Sequence, residues 1–311
     1  MNLDELRDAV GAEVAKVVAG QEEVIEAIVI ALAARGHVLL EGVPGVAKTL
    51  IATSTARALG LDSARVQFTP DMLPSDLTGT MTLRGGELSF RPGPVFTNLL
   101  IADEINRTPP KTQAALLESM QEGQVSIEGV PEPLPDPFCV VATQNPVEYE
   151  GTYPLPEAQL DRFLLKIDVG YPDAETERAI LAFDHHGVRP SNLEEIRPVA
   201  GAAEIESTRR DLDATLVADD VAAYVVELVR RTRDLPSVSL GASPRAAVHM
   251  LAASRARARL EGRDFVTPDD VASVAAPVLR HRLVLAPEAA LERYSPDDAV
   301  AAALSSVSVP R

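Results

Sequence analysis

Residues 36–50, with the sequence GHVLLEGVPGVAKTL, decide the fold that the chain is predicted to adopt. The apolar run at positions 38–40 is typical of a strand buried in a parallel sheet. Glycines and a proline interrupt that run before Lys48 and Thr49 open a helical pattern. Strand, tight loop and helix in this order predict a phosphate-binding loop. In such a loop the backbone N–H groups and the lysine bind phosphates, and the hydroxyl binds Mg²⁺.

The predicted loop departs from the general pattern G-x-x-x-x-G-K-[ST] at one position, because Ala47 stands where the second glycine is expected. Alanine is tolerated there if φ is negative, whereas a positive φ costs about 1 kcal/mol. Taken alone, the stretch is also compatible with a plain glycine turn between a strand and a helix. The residues predicted to form the binding loop are Gly42, Val43, Pro44, Gly45, Val46, Ala47, Lys48, Thr49 and Leu50.

The composition restricts the partners and the compartment of this 311-residue chain. Its formal net charge is −17, so its surface repels nucleic acid, and we do not expect nucleic acid as a partner without a local basic patch. Cys139 is the only cysteine, which excludes an internal disulfide framework and is typical of a reducing compartment. The N-terminus lacks a signal-peptide pattern and no apolar stretch is long enough to cross a bilayer. We therefore expect a cytoplasmic protein without a membrane segment.

The order of elements predicts two domains. Strand and helix patterns alternate over residues 1–171, which predicts an α/β nucleotide-binding domain with a parallel sheet flanked by helices. Two hairpin inserts interrupt it, one around Gly85 and Gly86 and one at 124–137. Helical patterns alone follow in residues 172–311, which predicts an all-α second domain. Its predicted helices are 174–182, 202–212, 218–232, 245–260, 268–279 and 297–306.

Two acids follow the apolar run at 99–102, and we predict that they form the reactive edge of the sheet. Ligands of open α/β sheets bind where the strands end, so Asp103 and Glu104 would lie beside the phosphate-binding loop. Adjacent strand residues point to opposite sides, which predicts different roles. Asp103 would hold Mg²⁺ through water, and Glu104 would orient and deprotonate the attacking water. A solvated acidic pair at a strand end is the alternative interpretation.

Three further residues are candidates for phosphoryl-transfer chemistry. Asn145 ends another buried strand and could hydrogen-bond the γ-phosphate or the attacking water, although Asn-Pro is also an ordinary turn dipeptide. Arg162 precedes the last strand, and Arg245 follows the predicted helix start at Ser243 and Pro244. A cation placed on the transferred phosphoryl group raises the rate by about 10³–10⁵. Either arginine could instead form a surface salt bridge.

Five motifs together resemble the MoxR family of AAA+ ATPases: GVPGVAKT (42–49), QFTPDMLPSDLTG (67–79), ADEINR (102–107), ATQNP (142–146) and YPLPEAQLDRF (153–163). The resemblance covers about residues 18–285 and includes alanine at position 47. It implies that Lys48 and Thr49 are Walker A residues binding ATP and Mg²⁺, and that Asp103 and Glu104 are Walker B residues. It further implies that Asn145 is sensor 1, Arg162 the arginine finger and Arg245 sensor 2.

The same resemblance identifies the two inserts as the helix-2 insert and the pre-sensor-1 insert, which places the chain near the magnesium-chelatase subunits. Members form rings, usually hexamers, in which the finger of one subunit completes the site of its neighbour. They are thought to mature metalloenzymes or other protein complexes, often with a partner that carries a von Willebrand factor A domain. The leading hypothesis is thus an oligomeric, Mg²⁺-dependent ATPase acting on a protein client. A nucleotide switch that hydrolyses negligibly and a nucleic-acid motor are the alternatives.

Overall fold

The structure is a computed structural model that describes residues 1–84, 87–146, 151–182 and 190–310. Its first part, in chain order, contains α1 (Leu3–Val14), α2 (Glu22–Ala33), β1 (Val38–Gly42), α3 (Lys48–Ala58), β2 (Ser63–Gln67), α4 (Pro74–Thr78), β3 (Gly79–Arg84), β4 (Glu87–Pro92), β5 (Leu99–Asp103), α5 (Pro110–Glu122), β6 (Gln124–Ile127), β7 (Val130–Pro133), β8 (Cys139–Gln144), α6 (Glu157–Leu160) and β9 (Leu165–Val169). Its second part contains α7 (Ala174–Ala182), α8 (Ala202–Asp213), α9 (Asp219–Arg231), β10 (Val238–Leu240), α10 (Pro244–Leu260), α11 (Pro268–Leu279), β11 (Val284–Leu285), α12 (Pro287–Leu291) and α13 (Pro296–Ser306).

A five-stranded parallel sheet forms the centre of the first part, in the order β2-β5-β8-β1-β9. Every residue of β5 is buried, as the apolar run at 99–102 predicts for a strand covered on both faces, and the burial extends to Asp103 at its end. The phosphate-binding loop follows β1, which lies between β8 and β9. Because all five strands run in the same direction, their carboxyl ends share one edge. The predicted reactive residues therefore lie at that edge.

The two faces of the sheet pack against different cores. Val38 and Leu40 of β1 lie in a core with α1, α2 and α3, whereas Leu39 between them lies in a core with α4 and α5. This alternation follows from the period of two in a strand. The helical second part contributes to the first of these cores, so it packs directly on one face of the sheet domain.

The second part is mainly helical, as predicted, and the six predicted helices begin and end within one or two residues of their predicted bounds, whereas the short α12 has no predicted counterpart. One feature corrects the all-α prediction. β10 and β11 form a short antiparallel pair, in which Val238 is opposite Leu285. Such two- and three-residue strands carry too few alternating positions to be recognised in a sequence. The domain boundary near residue 171 stays a prediction, although the last sheet strand ends at Val169 and α7 begins at Ala174.

Two antiparallel hairpins project from the sheet domain. β3 pairs with β4, with Leu83 opposite Leu88, and the turn residues Gly85 and Gly86 lie outside the described residues. β6 pairs with β7 through the turn at Glu128 and Gly129, whose φ values of 49° and 85° are both positive. Two central turn residues of positive φ match the right-handed twist of the flanking strands. Within the described ranges, no helix is both long and apolar enough to span a bilayer.

Candidate nucleotide-binding site

The loop between β1 and α3 turns sharply because three of its positions have unusual backbone requirements. Gly45 has a φ of 87°, which glycine adopts without cost. Gly42 must approach β9, because a Cβ atom there would lie 2.3 Å from the carbonyl oxygen of Val169. Ala47 has a φ of 59° and directly precedes α3, so the less favourable of the two predicted backbone geometries is the one found. The loop therefore carries the strain of about 1 kcal/mol expected for alanine.

A cavity of about 630 Å³ lies over this loop at the carboxyl edge of the sheet. Most of the predicted site residues line it, namely Pro44, Gly45, Val46, Ala47, Lys48, Thr49, Leu50, Asp103, Glu104 and Asn145. Thr53, Arg65, Gln67, Thr143, Gln144 and Leu193 complete the lining. Gly42 and Val43 lie behind it and present their carbonyl groups to Lys48. Arg162 and Arg245 do not line this cavity.

Lys48 is bound to its own loop. Its ammonium group donates to the carbonyl oxygens of Gly42 at 2.6 Å and Val43 at 2.7 Å. Burial lowers the pKa of Lys48, and the nearby carboxylates of Asp103 and Glu104 oppose that shift. These two bonds can be exchanged for bonds to a phosphate without moving the backbone, because the ammonium lies at the end of a flexible stem.

Asp103 is the most heavily bound side chain of the site. Its carboxylate accepts hydrogen bonds from the hydroxyl of Thr49 at 2.9 and 3.0 Å, from the hydroxyl of Thr143 at 3.2 Å and from Nε of Arg65 at 2.7 Å. Its side chain is only 4% exposed. The contact between Thr49 and Asp103 joins a hydroxyl and a carboxylate, which are hard oxygen ligands.

This donor set fits Mg²⁺. The described residues contain no group of three or more His, Cys, Asp or Glu that could enclose a metal. Mg²⁺ usually binds through one or two protein oxygens, with waters and substrate phosphates as its other ligands. Thr49 and Asp103 supply that number of protein oxygens at one point beside the loop.

Glu104 leaves the strand, which corrects the prediction that the two acids alternate within it. β5 ends at Asp103, and Glu104 has a left-handed φ of 56°. Its backbone N–H donates to the hydroxyl of Thr143 at 2.9 Å, which fixes this turn. Its Oε2 accepts from Nε2 of Gln67 at 2.7 Å and from Nη1 of Arg107 at 3.0 Å. The two acids diverge as expected, but the cause is the backbone turn rather than the pleat.

Asn145 lies beyond the end of β8 and is buried, with 6% of its surface exposed. Its carbonyl oxygen accepts a hydrogen bond of 3.5 Å from Nδ2 of Asn106, which attaches the end of β8 to the segment after β5. Its place in the cavity lining is compatible with the predicted sensor role.

Arg162 and Arg245 lie elsewhere, at the contact between the sheet domain and the helical part. Arg162 follows α6, and its Nε is buried without a hydrogen-bond partner in the described ranges. Arg245 lies in the first turn of α10. Burial lowers the pKa of the nearby Arg282, and the positive charge of Arg245 adds to that shift. The structure therefore separates these two arginines from the residues that surround the phosphate-binding loop.

Sequence reasoning assigned no role to Arg65, Gln67 and Thr143. Arg65 and Gln67 lie two positions apart on β2, whose last pair places Gln67 opposite Asp103. The spacing of these two residues could have indicated a role at the site, because two polar residues two positions apart at a strand end point to the same side. The sequence pattern predicts this strand only at residues 66–68, which share two residues with β2 and leave Arg65 outside it. Thr143 was quoted only as part of a motif, although a hydroxyl at the end of a buried strand needs a partner.

Known proteins match both parts of the chain in sequence. The sequence profile described as "ATPase family associated with various cellular activities (AAA)" matches residues 37–165, and the profile "AAA lid domain" matches residues 230–303. Chaperone MoxR1 of Mycobacterium tuberculosis is 46% identical over 310 residues, which cover 96% of this chain and 81% of that protein.

Two further comparisons extend the similarity to more distant sequences and to a solved fold. The chloroplastic magnesium-chelatase subunit ChlI of Oryza sativa is 32% identical over 213 residues, covering 65% of this chain and 48% of that protein. A crystal structure of a protein from Cytophaga hutchinsonii superimposes with a TM-score of 0.91 at 40% identity, covering 99% of this chain and 96% of that one. The predicted fold class and the predicted relationship to magnesium chelatase are confirmed. The chain belongs to the MoxR family of AAA+ ATPases.

Proposed function

We propose that this protein hydrolyses ATP with Mg²⁺ in an oligomeric ring and uses the hydrolysis to remodel protein complexes. The observation that carries the proposal is the cluster of Lys48, Thr49, Asp103 and Glu104 around one cavity at the carboxyl edge of the sheet. A plain glycine turn or a solvated acidic pair would not bring a lysine, a hydroxyl and two acids together. This arrangement is what phosphoryl transfer requires.

In this proposal each side chain has a distinct task. Lys48 exchanges its two backbone carbonyl partners for phosphate oxygens, and the loop N–H groups bind the remaining ones. Thr49 and Asp103 would hold Mg²⁺, which neutralises phosphate charge when it is bound. Glu104 orients the attacking water and accepts its proton, and Asn145 holds that water or the terminal phosphate in place.

The position of Arg162 supports a ring. Its guanidinium is absent from the lining of its own subunit's cavity, although arginine fingers act at a phosphate. A neighbouring subunit would bring such an arginine to the site, and AAA proteins are typically oligomeric. We propose a hexamer in which Arg162 acts in trans and Arg245 binds the nucleotide from the helical part.

The remodelling role and the partners rest on the relatives. The similarity to chaperone MoxR1 supports a protein client, for which we propose a metalloenzyme or another complex that needs assembly. A partner with a von Willebrand factor A domain and a cytoplasmic location are part of the same proposal. Two arginines in and just after α10 favour a protein client over nucleic acid, because Arg257 is bound to Glu26 and Glu261 and Arg263 is bound to Asp270.

One observation favours the second candidate, a nucleotide switch that hydrolyses slowly when alone. Oε2 of Glu104 is bound by both Gln67 and Arg107, so this carboxylate is engaged before any water arrives. A partner or a neighbouring subunit would have to release it before it can act as a base. Replacing Gln67 by Met removes one of these donors at similar volume. If the protein is such a switch, Gln67→Met should raise the rate of ATP hydrolysis by the isolated protein.

The test is steady-state ATP hydrolysis per subunit as a function of protein concentration, with Glu104→Gln in parallel. We expect the specific activity to rise with concentration, because the finger comes from a neighbour, and to vanish in the variant. A rate that stays near zero at all concentrations, with ATP binding intact, would favour the switch. Hydrolysis that persists in Glu104→Gln would contradict the proposed chemistry.

A further inference from the structure

Asp161, the residue before Arg162, is bound by the helical part from two directions. Its Oδ2 accepts a hydrogen bond of 2.8 Å from the hydroxyl of Ser243, and its Oδ1 accepts one of 2.8 Å from Nε of Arg282. Ser243 directly precedes α10, and Arg282 follows α11. We name the four residues Asp161, Ser243, His249 and Arg282 the seam.

Ser243 occupies a helix cap but does not use its hydroxyl to cap the helix. Ser243 and Ser295 both precede a proline that opens a helix, and both have extended backbone angles. Ser295 accepts from the N–H of Asp298 and so caps α13, whereas Ser243 makes no cap hydrogen bond. The hydroxyl of Ser243 is directed out of its own helix to Asp161. A cap contributes about 1 kcal/mol, so the structure replaces this local stabilisation by a contact between the two parts.

Arg282 holds the other side of Asp161 and is almost fully buried, with its side chain 1% exposed. Besides Asp161 it donates to the carbonyl oxygens of Phe163 and Val278 and to Nδ1 of His249 at 2.6 Å. Because arginine can only donate, His249 must be neutral and accept at Nδ1. Every direction of the guanidinium is thus occupied, and Arg282 cannot shift without breaking several bonds.

These contacts connect two arginines that lie outside their own cavity. Arg162 follows Asp161 in the chain, and Arg245 follows Ser243 by two residues. We propose that Asp161 is a positioning residue that holds the Arg162 segment and the Arg245 turn in one fixed arrangement. A movement of α10 caused by nucleotide at one subunit's cavity then moves the finger offered to the next subunit. This inference rests on the proposed roles of Arg162 and Arg245.

The experiment compares four variants in the full-length protein: Ser243→Ala, Asp161→Asn, Arg162→Ala and the matched control Ser295→Ala. Misplacing a catalytic group by about 1 Å costs on the order of 10²-fold in rate. We expect kcat to fall about 100-fold in Asp161→Asn, about 10-fold in Ser243→Ala and about 10³-fold in Arg162→Ala. The Kd for ATP should stay within about twofold of wild type in Arg162→Ala, and in the other two variants it should change less than kcat, because Arg245 shares the nucleotide with the loop residues. Ser295→Ala should lower the melting temperature but leave kcat unchanged, because its hydroxyl acts only on its own helix.

Mixing subunits separates a positioning role from local damage. Ser243→Ala subunits keep the residues that line the cavity but offer a displaced finger to the next subunit, whereas Glu104→Gln subunits have an inactive cavity and an intact finger. A mixture should therefore hydrolyse ATP faster than the sum of the two separate proteins. Absence of this recovery would place the defect in the subunit's own cavity and overturn the inference.

The outcomes also separate this inference from the proposed function. If Arg162→Ala is inactive while Ser243→Ala and Asp161→Asn match wild type, the finger role survives and the positioning role is refuted. If Arg162→Ala keeps its turnover, the finger assignment itself is wrong, and the inference fails with it. Should Asp161→Asn fail to fold, Ser243→Ala alone decides, since it removes a single hydrogen bond.

Discussion

The cavity and the seam are both clusters of polar side chains, but a ligand can replace the hydrogen-bond partners in the cavity and not those in the seam. In the cavity, Lys48 binds carbonyl groups of its own loop and Glu104 binds two neighbouring side chains. A ligand can replace each of these partners. In the seam, Arg282 is 1% exposed at its side chain and binds groups from two parts of the chain, which no ligand can reach.

This difference predicts how each region responds to substitution. Partners that can be exchanged contribute little to the folded state, because water or a ligand takes over when they are lost. Water cannot replace the partner of a buried charge. Removing that partner therefore leaves the charge unpaired and destabilises the folded state by its desolvation free energy. Substitutions in the cavity should therefore change binding and hydrolysis, whereas substitutions in the seam should change the free energy of unfolding as well.

The largest effect is expected for Arg282→Met, which breaks the seam. Breaking a buried ion pair on one side costs about 3–5 kcal/mol, because the remaining charge stays unpaired. The free energy of unfolding from urea titrations should fall by that amount. Asp213→Ala is the control, because it removes the exposed pair between Arg35 and Asp213 and should cost less than about 1 kcal/mol. Equal losses in both variants would show that the seam is not a special region.

Lys48→Met should weaken ATP binding strongly and leave the stability of the fold almost unchanged. The two hydrogen bonds of its charged group can each contribute about 1.5–3 kcal/mol to phosphate binding, so the Kd for ATP should rise at least about 100-fold. The free energy of unfolding should change by less than about 1 kcal/mol, because the lysine's present partners are carbonyl groups of a partly exposed loop. Isothermal titration and urea unfolding of the same preparation check both. A large fall in the free energy of unfolding of Lys48→Met would show that the cavity and the seam do not differ in this way.

His37 extends the comparison to a buried group whose charge depends on pH. Its Nδ1 accepts from the N–H of Val140 at 3.0 Å, and its Nε2 donates to the carbonyl oxygen of Met120 at 3.1 Å. Burial lowers the pKa of His37 from 6.5 to about 4, against the opposing effect of the bond to Met120. Protonation would remove the acceptor that Val140 needs.

Since the folded pKa lies below the unfolded one, the stabilisation is complete above about pH 6.5 and is lost as the pH falls toward 4. Between pH 7 and pH 4.5 we expect the free energy of unfolding of wild type to fall by about 2–3 kcal/mol more than that of His37→Gln. Urea titrations at the two pH values measure the difference. An identical pH dependence in both proteins would contradict a neutral buried His37.

The smallest expected effect concerns Ala47 in the loop. Ala47→Gly removes the strain of a φ of 59°, and the greater freedom of glycine in the unfolded chain offsets part of the gain. The net result should be a stabilisation of up to about 1 kcal/mol. Ala301→Gly in α13 is the matched control and should destabilise by about 0.5–1 kcal/mol, because alanine is favoured inside a helix. The same sign in both variants would contradict strain at Ala47.

The sequence predicted the cavity far better than the seam, and the reason is distance along the chain. Lys48, Thr49, Asp103 and Glu104 stand in short local patterns that end strands, and parallel strands bring their ends together without further information. The contact between Asp161 and Arg282 joins residues 121 positions apart, and neither residue stands in a pattern that indicates the other. Nothing local distinguishes an arginine that becomes buried from one that stays exposed.

The sequence also could not predict the local geometry at Ser243 and Glu104. The predicted helix start at Ser243 and Pro244 is confirmed, but the direction of the Ser243 hydroxyl depends on a partner from the other part of the chain. Likewise, the positive φ of Glu104 depends on the hydroxyl of Thr143 from a neighbouring strand. In both cases the tertiary partner decides the local geometry, so a local pattern predicts only the place and not the orientation.

The position of β1 in the sheet has a consequence for synthesis on the ribosome. Val38 pairs with Val141 and Leu165, so both neighbours of this strand are made on the order of 100 residues after it. The binding loop is contiguous and emerges early, yet the strand that positions it has no partner until β8 and β9 have left the exit tunnel. A nascent chain arrested before β9 should therefore be unable to retain ATP, and this affinity should appear abruptly near the end of the sheet domain's translation.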